Sequence, residues 1–356
     1  MTDKISKGPG LTRRTVLLAG GAAAMSLAAP AVRRASAQEK VLFVNTWGGN
    51  WEAAAKECFF DPFTKETGIE IKTVSPISVA KLAAQVRTGV YEFDVTTLGA
   101  ADLARSNANG LIESLEGKLD PASVWERGLV NNGLGTHAFA NVIAYHADKY
   151  PNGGPQNWAD FWNTEKFAGP RSLQKYAARV LAFALMADGV TPDKLFPYDL
   201  DRAFASLDKI KPHIRVWWTA GAQSTQLLAD NEVDMAGIWD DNANEAKKQK
   251  PDVTTTFNQA LIDVGYWVVA KGSPRAENGY KYIQSIANNA AGLARFCEID
   301  GSGPMNPKAR ELVSPDFAKR MPTSTDNLKN AVFLDGGALL SQLDEIASRF
   351  DRWIAL

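Results

Sequence analysis

The chain has 356 residues, 45% hydrophobic and 22% charged, with a formal net charge of −1. That is long enough for two domains with separate cores, and the even balance of acids and bases excludes the basic surface that nucleic acid demands. Ten tryptophans is a high number for this length, which favours binding surfaces, because indole offers a broad apolar face and one donor.

The first segment in chain order has the layout of a cleaved export signal: a basic start, an apolar stretch from Val16 to Ala31, and small residues at Ala35 and Ala37. Arg13 and Arg14, followed by Thr15, Val16 and Leu17, fit the twin-arginine type. The apolar stretch is short for a membrane span and is broken by Gly20 and Gly21, so an uncleaved anchor is the alternative reading. Cleavage is expected after Ala37, giving a mature periplasmic protein. Losing residues 1–37 removes six basic residues and one acidic residue, leaving 33 basic against 39 acidic, a net charge of −6. An acidic exported protein is a poor partner for nucleic acid.

From there strand-like and helix-like segments alternate. "KVLFVNTW" reads as a buried strand, and "NWEAAAKECFFDPFTKETG" as a helix stopped by Gly68. "IEIKTVSP" is a strand, "SVAKLAAQVRTGV" a helix capped by Ser78, "YEFDVTTLG" a strand and "AADLARSNANG" a helix. This order predicts a mostly parallel sheet with helices on both faces, with ligands at the carboxyl ends of the strands. Gly48, Gly49 and Gly99 lie at two of those ends and let backbone approach a ligand closely. "HAFANVIAYHADKYP" is strand-rich, "SLQKYAARVLAFALMADG" reads as one helix stopped by Gly189, and "DLDRAFASLDKIK" as another. "STQLLADNEV" is read as a helix capped by Ser224 or Thr225, and "DMAGIW" as a strand. "IDVGYWVVAKGS" is a long returning strand before the C-terminal helices. The layout is two α/β lobes joined by two or three crossing strands, with a cleft between them.

No metal or cofactor is expected. His137, His146 and His213 are scattered and show no ligand spacing; His137 and His146 read as structural. A secreted enzyme is an alternative, but no serine–histidine–acid spacing, phosphate loop or nucleophile elbow stands out. Cys58 and Cys297 are the only cysteines, and whether they meet in a disulfide stays open.

Three stretches carry a resemblance: "FFDPFTKETGIEIK" at 59–72, "VWWTAGAQSTQLLADNEVDMAGIW" at 216–239 and "GYWVVAKGSP" at 265–274. In this order they resemble the extracellular solute-binding proteins of ABC importers, in the spermidine/putrescine-binding branch. The resemblance implies an α/β two-lobe periplasmic-binding-protein (Venus-flytrap) fold, in which a ligand is captured in the interlobe cleft by hinge closure. It implies a monomer that hands its ligand to a membrane permease and catalyses nothing. It places residues 38–142 with 268–316 in lobe one, and 143–267 with 317–356 in lobe two.

Aromatic faces that sandwich methylenes and carboxylates that pair with ammonium ends suit polyamines. The resemblance puts Trp47, Trp239 and Trp267 at the family's ligand tryptophans, with Trp51 as a helper or a core residue. Trp217 and Ser224 join the candidate set from the second stretch. Val269 stands where the polyamine binders carry an acid, and the helix around Lys175, Tyr176 and Arg179 has lost its acids. Asp240 is taken as the replacement acid, with Asp241 and Asn242 as helix caps. Arg179 is the first candidate for a carboxylate-binding end, ahead of Arg171 and Arg215. A loop from Gly221 to Thr225, rich in free N–H groups, could also hold a carboxylate. The expected ligand is a short polyamine or an ω-amino acid such as γ-aminobutyrate. Ferric iron is the alternative cargo, but Tyr145, Tyr150, Tyr176 and Tyr266 include no adjacent pair.

Overall fold

Residues 39–126 and 128–356 are described by a computed structural model; the export signal expected at 1–37 lies outside the described residues. The strands, in chain order, are β1 (Val41–Asn45), β2 (Glu70–Val74), β3 (Val95–Leu98), β4 (Leu129–Val130), β5 (Gly133–His146) and β6 (Arg171–Gln174). They continue with β7 (Ile214–Trp218), β8 (Met235–Trp239), β9 (Val253–Val269), β10 (Gly303–Pro304) and β11 (Val332–Phe333). They form a single sheet in the order β2-β1-β3-β9-β5-β8-β6-β7, with β4 and β10 on β5 and β11 on β9.

The sheet has two parallel halves joined by two long antiparallel strands. β2, β1 and β3 run parallel, as do β8, β6 and β7. Between them β5 and β9 pair along almost their whole length, with register shifts at Gly135/His137 and Asn141/Ile143. Bulges of this kind bend a strand and increase its twist. β5 carries the chain from the first half to the second, and β9 brings it back to pair with β3 through Val95 and Val269.

The predicted punctuation holds locally. Ser78 accepts the Lys81 N–H at the start of helix Val79–Thr88, and Gly68 (φ 70°) closes helix Asp61–Thr67 in the left-handed region that glycine enters without strain. One predicted helix is different. Ser172–Gln174, read as the start of a helix, belongs to the strand β6, which is buried between β7 and β8, and the helix proper spans Ala177–Ala187. A strand buried on both faces has no alternation to betray it. The stretch after β9 is two helices, Ala276–Asn288 and Ala290–Asp300, broken at Asn289, whose side chain accepts the Gly292 N–H.

Each half has its own core. Phe59, Phe63, Trp267, Tyr282 and Phe296 fill the first, on one face of β1, β3 and β9. In the second, Trp158 stacks on Phe183 with centroids 3.9 Å apart, beside Leu181, Phe204 and the C-terminal helix Leu343–Ala355. At roughly 1.5–3 kcal/mol for each large side chain removed from water, these cores hold the strand ends rigidly. The carboxyl ends of β1 and β3 face those of β6 and β8 across the middle of the sheet. The two sides touch there: Trp47 lies 5.9 Å from Trp239, and the Tyr176 hydroxyl donates to Asp102 Oδ2 at 2.9 Å.

Candidate functional site

Seven side chains line a small cavity at this junction: Trp47, Trp51, His137, Phe139, Trp239, Asp241 and Asp300, around about 70 Å³. That is room for several waters or a short aliphatic chain, since a single water needs only about 10–15 Å³ by the same measure. Trp47 follows β1, held at a turn where Gly48 has φ 74°. Trp51 is in the first turn of helix Gly49–Ala55. His137 and Phe139, two apart on β5, face the same side. Trp239 ends β8, Asp241 is the second residue of helix Asp240–Gln249, and Asp300 ends helix Ala290–Asp300, just before Gly301 at φ 93°.

The rings form a box. Trp239 makes edge contacts with Trp47 and with Phe139, at 5.9 and 6.1 Å, and Trp51 tilts against His137 at 6.2 Å. Into this box open two carboxylates with no cationic partner among the described residues. Burial pushes the Asp241 carboxyl up to about 6, against the pull of backbone N–H groups. Burial, and then the charge of Asp241, push Asp300 up to about 8. Burial alone holds His137 down to about 4, so its ring is neutral at pH 7.

A second polar group abuts the box. Arg179, 3% exposed in the first turn of helix Ala177–Ala187, donates from Nε and Nη2 to Asp263 Oδ2 (3.2 and 2.8 Å) and from Nη1 to Gln174 Oε1 (3.0 Å). Asp263 Oδ1 accepts the N–H groups of Ala100 and Val264 at 2.9 and 2.8 Å. The guanidinium lies over the rings of Tyr176, Phe139 and Trp239, at 4.4, 5.0 and 5.8 Å. A guanidinium has five N–H groups, so those bonds leave two for a ligand. Gly99 is required beside this pair, because a Cβ there would stand 2.8 Å from Asp263 Oδ2.

The structure thus brings Trp47, Trp51, Trp239 and Arg179 together, and it moves the other predicted residues elsewhere. Neither Asp240 nor Asp241 takes the role expected of it. Asp240 is buried and accepts the Ala140 N–H at 2.8 Å, tying β5 to the start of the helix, and burial pushes its carboxyl well above the usual range. Asp241 lines the cavity, and neither it nor Asn242 caps, because the helix starts one residue earlier with Trp239 at its N-cap and no side-chain cap. Trp267 is 0% exposed in the first-half core, with Trp51 between it and the cavity. On β9 its ring faces Tyr282, 5.2 Å away.

Trp217 packs against Phe350 and Trp353 on the far side of β7, while its neighbour Trp218 points the other way and touches Trp239 at 5.3 Å. Alternation along a strand puts only one of two adjacent tryptophans on a given face, and the sequence does not say which. Ser224 is inside helix Gly221–Ala229, where its hydroxyl donates to Gly221 O, so neither it nor Thr225 is a cap and residues 221–225 are helix rather than loop. Arg171, the first residue of β6, is buried and donates to the Phe161 and Phe167 carbonyls, and Arg215 is exposed on β7. Cys58 and Cys297 are buried in the first-half core and unbridged.

Asp300, His137, Phe139 and Asp263 were not singled out for the site by sequence reasoning. The signals available were a helix-ending acid before glycine at Asp300-Gly301 and a two-residue alternation in His137 and Phe139. His146, by contrast, lies away from the cavity, with its nitrogens engaged by Asp252 Oδ2 at 2.6 Å and Leu228 O at 3.0 Å.

Comparison with known proteins gives a consistent result. The family described as bacterial extracellular solute-binding protein matches residues 59–323. The gamma-aminobutyric acid-binding protein of Pseudomonas aeruginosa is 32% identical over 329 residues, covering 90% of this chain and 93% of its own. The spermidine/putrescine-binding periplasmic protein of Escherichia coli is 23% identical over 346 residues, 92% of this chain and 95% of its own. The solved structure of the Atu4243-GABA receptor superposes with a TM-score of 0.78 at 32% identity, covering 88% of this chain and 99% of that one.

Proposed function

Because the chain belongs to the bacterial extracellular solute-binding proteins, we propose that its cleft captures an ω-amino acid, γ-aminobutyrate first among them, for delivery to an ABC-type membrane permease. The observation that carries this reading is the aromatic box with two acids, Asp241 and Asp300, that have no cationic partner among the described residues, beside an arginine with spare N–H groups. Rings and carboxylates attract an ammonium, and a guanidinium fork matches a carboxylate. The names of two relatives at 32% identity support the same ligand. A polyamine is the second reading, favoured by the excess of acids around the box and by the E. coli relative.

In this reading residues 38–142 with 268–316 and residues 143–267 with 317–356 are the two lobes, β5 and β9 are the hinge, and closure brings Trp47 to Trp239. The protein acts as a monomer in the periplasm, exported by the twin-arginine signal at 1–37, and it releases its ligand unchanged.

Calorimetric titration with γ-aminobutyrate, putrescine and spermidine tests the ligand. The expected result is tightest binding of γ-aminobutyrate, by tenfold or more over the diamines, about 1.4 kcal/mol. Tighter binding of putrescine or spermidine would replace this reading with the second, and binding of none would end both. Trp217→Leu serves as a contrast. It is expected to cost the fold about 2–3 kcal/mol in urea melts and to leave ligand affinity within about twofold, a difference under 0.5 kcal/mol, because that ring packs away from the cavity.

A further inference from the structure

Asp241 and Asp300 come from different helices, yet both open into one cavity of about 70 Å³ walled by Trp47, Trp51, Phe139, Trp239 and His137. Asp300 is more than nine-tenths buried, and the structure gives neither acid a lysine, arginine or protonated histidine within ion-pair distance among the described residues. Their backbones are pressed together: a Cβ on Gly301, the residue after Asp300, would sit 3.2 Å from Asp241 Cβ. Two carboxylates confined in one small cavity, one of them buried, repel each other's ionisation when no counter-charge is near, so such pairs tend to keep a proton.

We infer that Asp241 and Asp300 share one proton in the ligand-free protein and give it up to solvent when the ligand's ammonium takes its place between them. The inference rests on the amine-binding reading of this cleft and adds to it the identity of the ammonium subsite and a proton stoichiometry. The charge balance is simple. The pair carries one negative charge with its proton; binding brings in one positive charge, one proton leaves, and both carboxylates are then ionised against the ammonium.

Other titratable or charged groups stand around the pair. Asp240, on the same helix start, accepts the Ala140 N–H and is pushed well above the usual range by burial, by Asp241 and by Asp300. His137, from β5, is already neutral above about 4. Cys297, one turn before Asp300, is a buried thiol whose range lies well above its ordinary value. Arg179 stands over the rings of Phe139 and Trp239 and is paired with Asp263. The pair itself is placed to titrate between about 6 and about 8. The ligand's own ammonium and carboxylate titrate outside that range.

The sign follows. A bound ammonium favours the ionised pair, so affinity rises with pH across this window and levels off above it, once the proton is gone without help. For one exchanged proton the steepest slope is about tenfold per pH unit. The test is calorimetry on the signal-free chain with γ-aminobutyrate, or with putrescine if that proves tighter, from pH 5.5 to 9. Runs at pH 7 in two buffers of different ionisation enthalpy count the protons. The expected result is release approaching one proton per ligand, with affinity rising between pH 6 and 8.

Asp300→Asn and Asp241→Asn, each close to isosteric, are expected to abolish proton release, flatten the pH profile and weaken binding at pH 8 by tenfold or more; thermal melts identify a variant that has not folded. Tight amine binding by the native protein with no proton release and a flat profile overturns this inference and leaves the amine reading standing. So does a folded Asp300→Asn protein that keeps the native profile. Absence of binding by any of the three amines takes down both.

Discussion

Arg179→Met is expected to destabilise the protein by about 3–5 kcal/mol, the cost of leaving a buried partner charge uncompensated, and to abolish binding of the carboxylate-bearing ligand. Asp263, 1% exposed, would keep only its two backbone N–H donors and lose the Nε and Nη2 bonds. Urea melts measure the loss of stability, and calorimetry measures the loss of binding. The double substitution Arg179→Met with Asp263→Leu separates the roles. It removes the unpaired charge and should recover much of the stability, while binding stays lost because the guanidinium is gone. Recovery of binding in the double variant would mean that Arg179 serves the fold alone.

Trp239→Ala carries the second large effect. The indole walls the cavity, meets Trp47, Phe139 and Trp218, and lies within 5.8 Å of the Arg179 guanidinium. Losing its apolar contact and its cation-facing surface should weaken ligand binding by about 2–3 kcal/mol, or roughly 30- to 150-fold. The fold should lose about 3 kcal/mol. Trp239→Phe, which keeps a ring, should fall between the two for affinity. Calorimetry with a parallel melt distinguishes these outcomes, and retention of affinity within threefold by Trp239→Ala would place the ligand elsewhere.

How much of this was legible beforehand depended on which physical signal was local. Helix caps and stops at Ser78 and Gly68 could be read because they involve neighbours in sequence. The same holds for the order of strands and helices through β3. Strand parity could not be read, which is why Trp217 stands among the candidates in Trp218's place; Trp267, placed in the pocket by the resemblance, packs in the core. The aspartates at 240 and 241 differ by one position on a helix, and that rotation of about 100° decides which of them reaches β5 and which reaches the cavity. The acid that completes the site, Asp300, lies some sixty residues further on, and the partner of Arg179 lies on β9. Nothing in a single sequence pairs residues so far apart. The resemblance supplied the family and the tryptophans at 47 and 239, but it set the acid of the returning strand at Val269 rather than at Asp263.

The path of the two long strands also has a bearing on how the chain is made. β3 borders β9, whose Trp267 plugs the core built by residues of the first hundred positions, and helices Ala276–Asn288 and Ala290–Asp300 cover that core. During synthesis the early strands therefore wait, with an open edge and an unfilled interior, until more than half of the remaining chain has left the ribosome. The second half is complete no sooner, because Phe350 and Trp353 of the C-terminal helix Leu343–Ala355 belong to its core, so both halves close only as the last of the chain arrives.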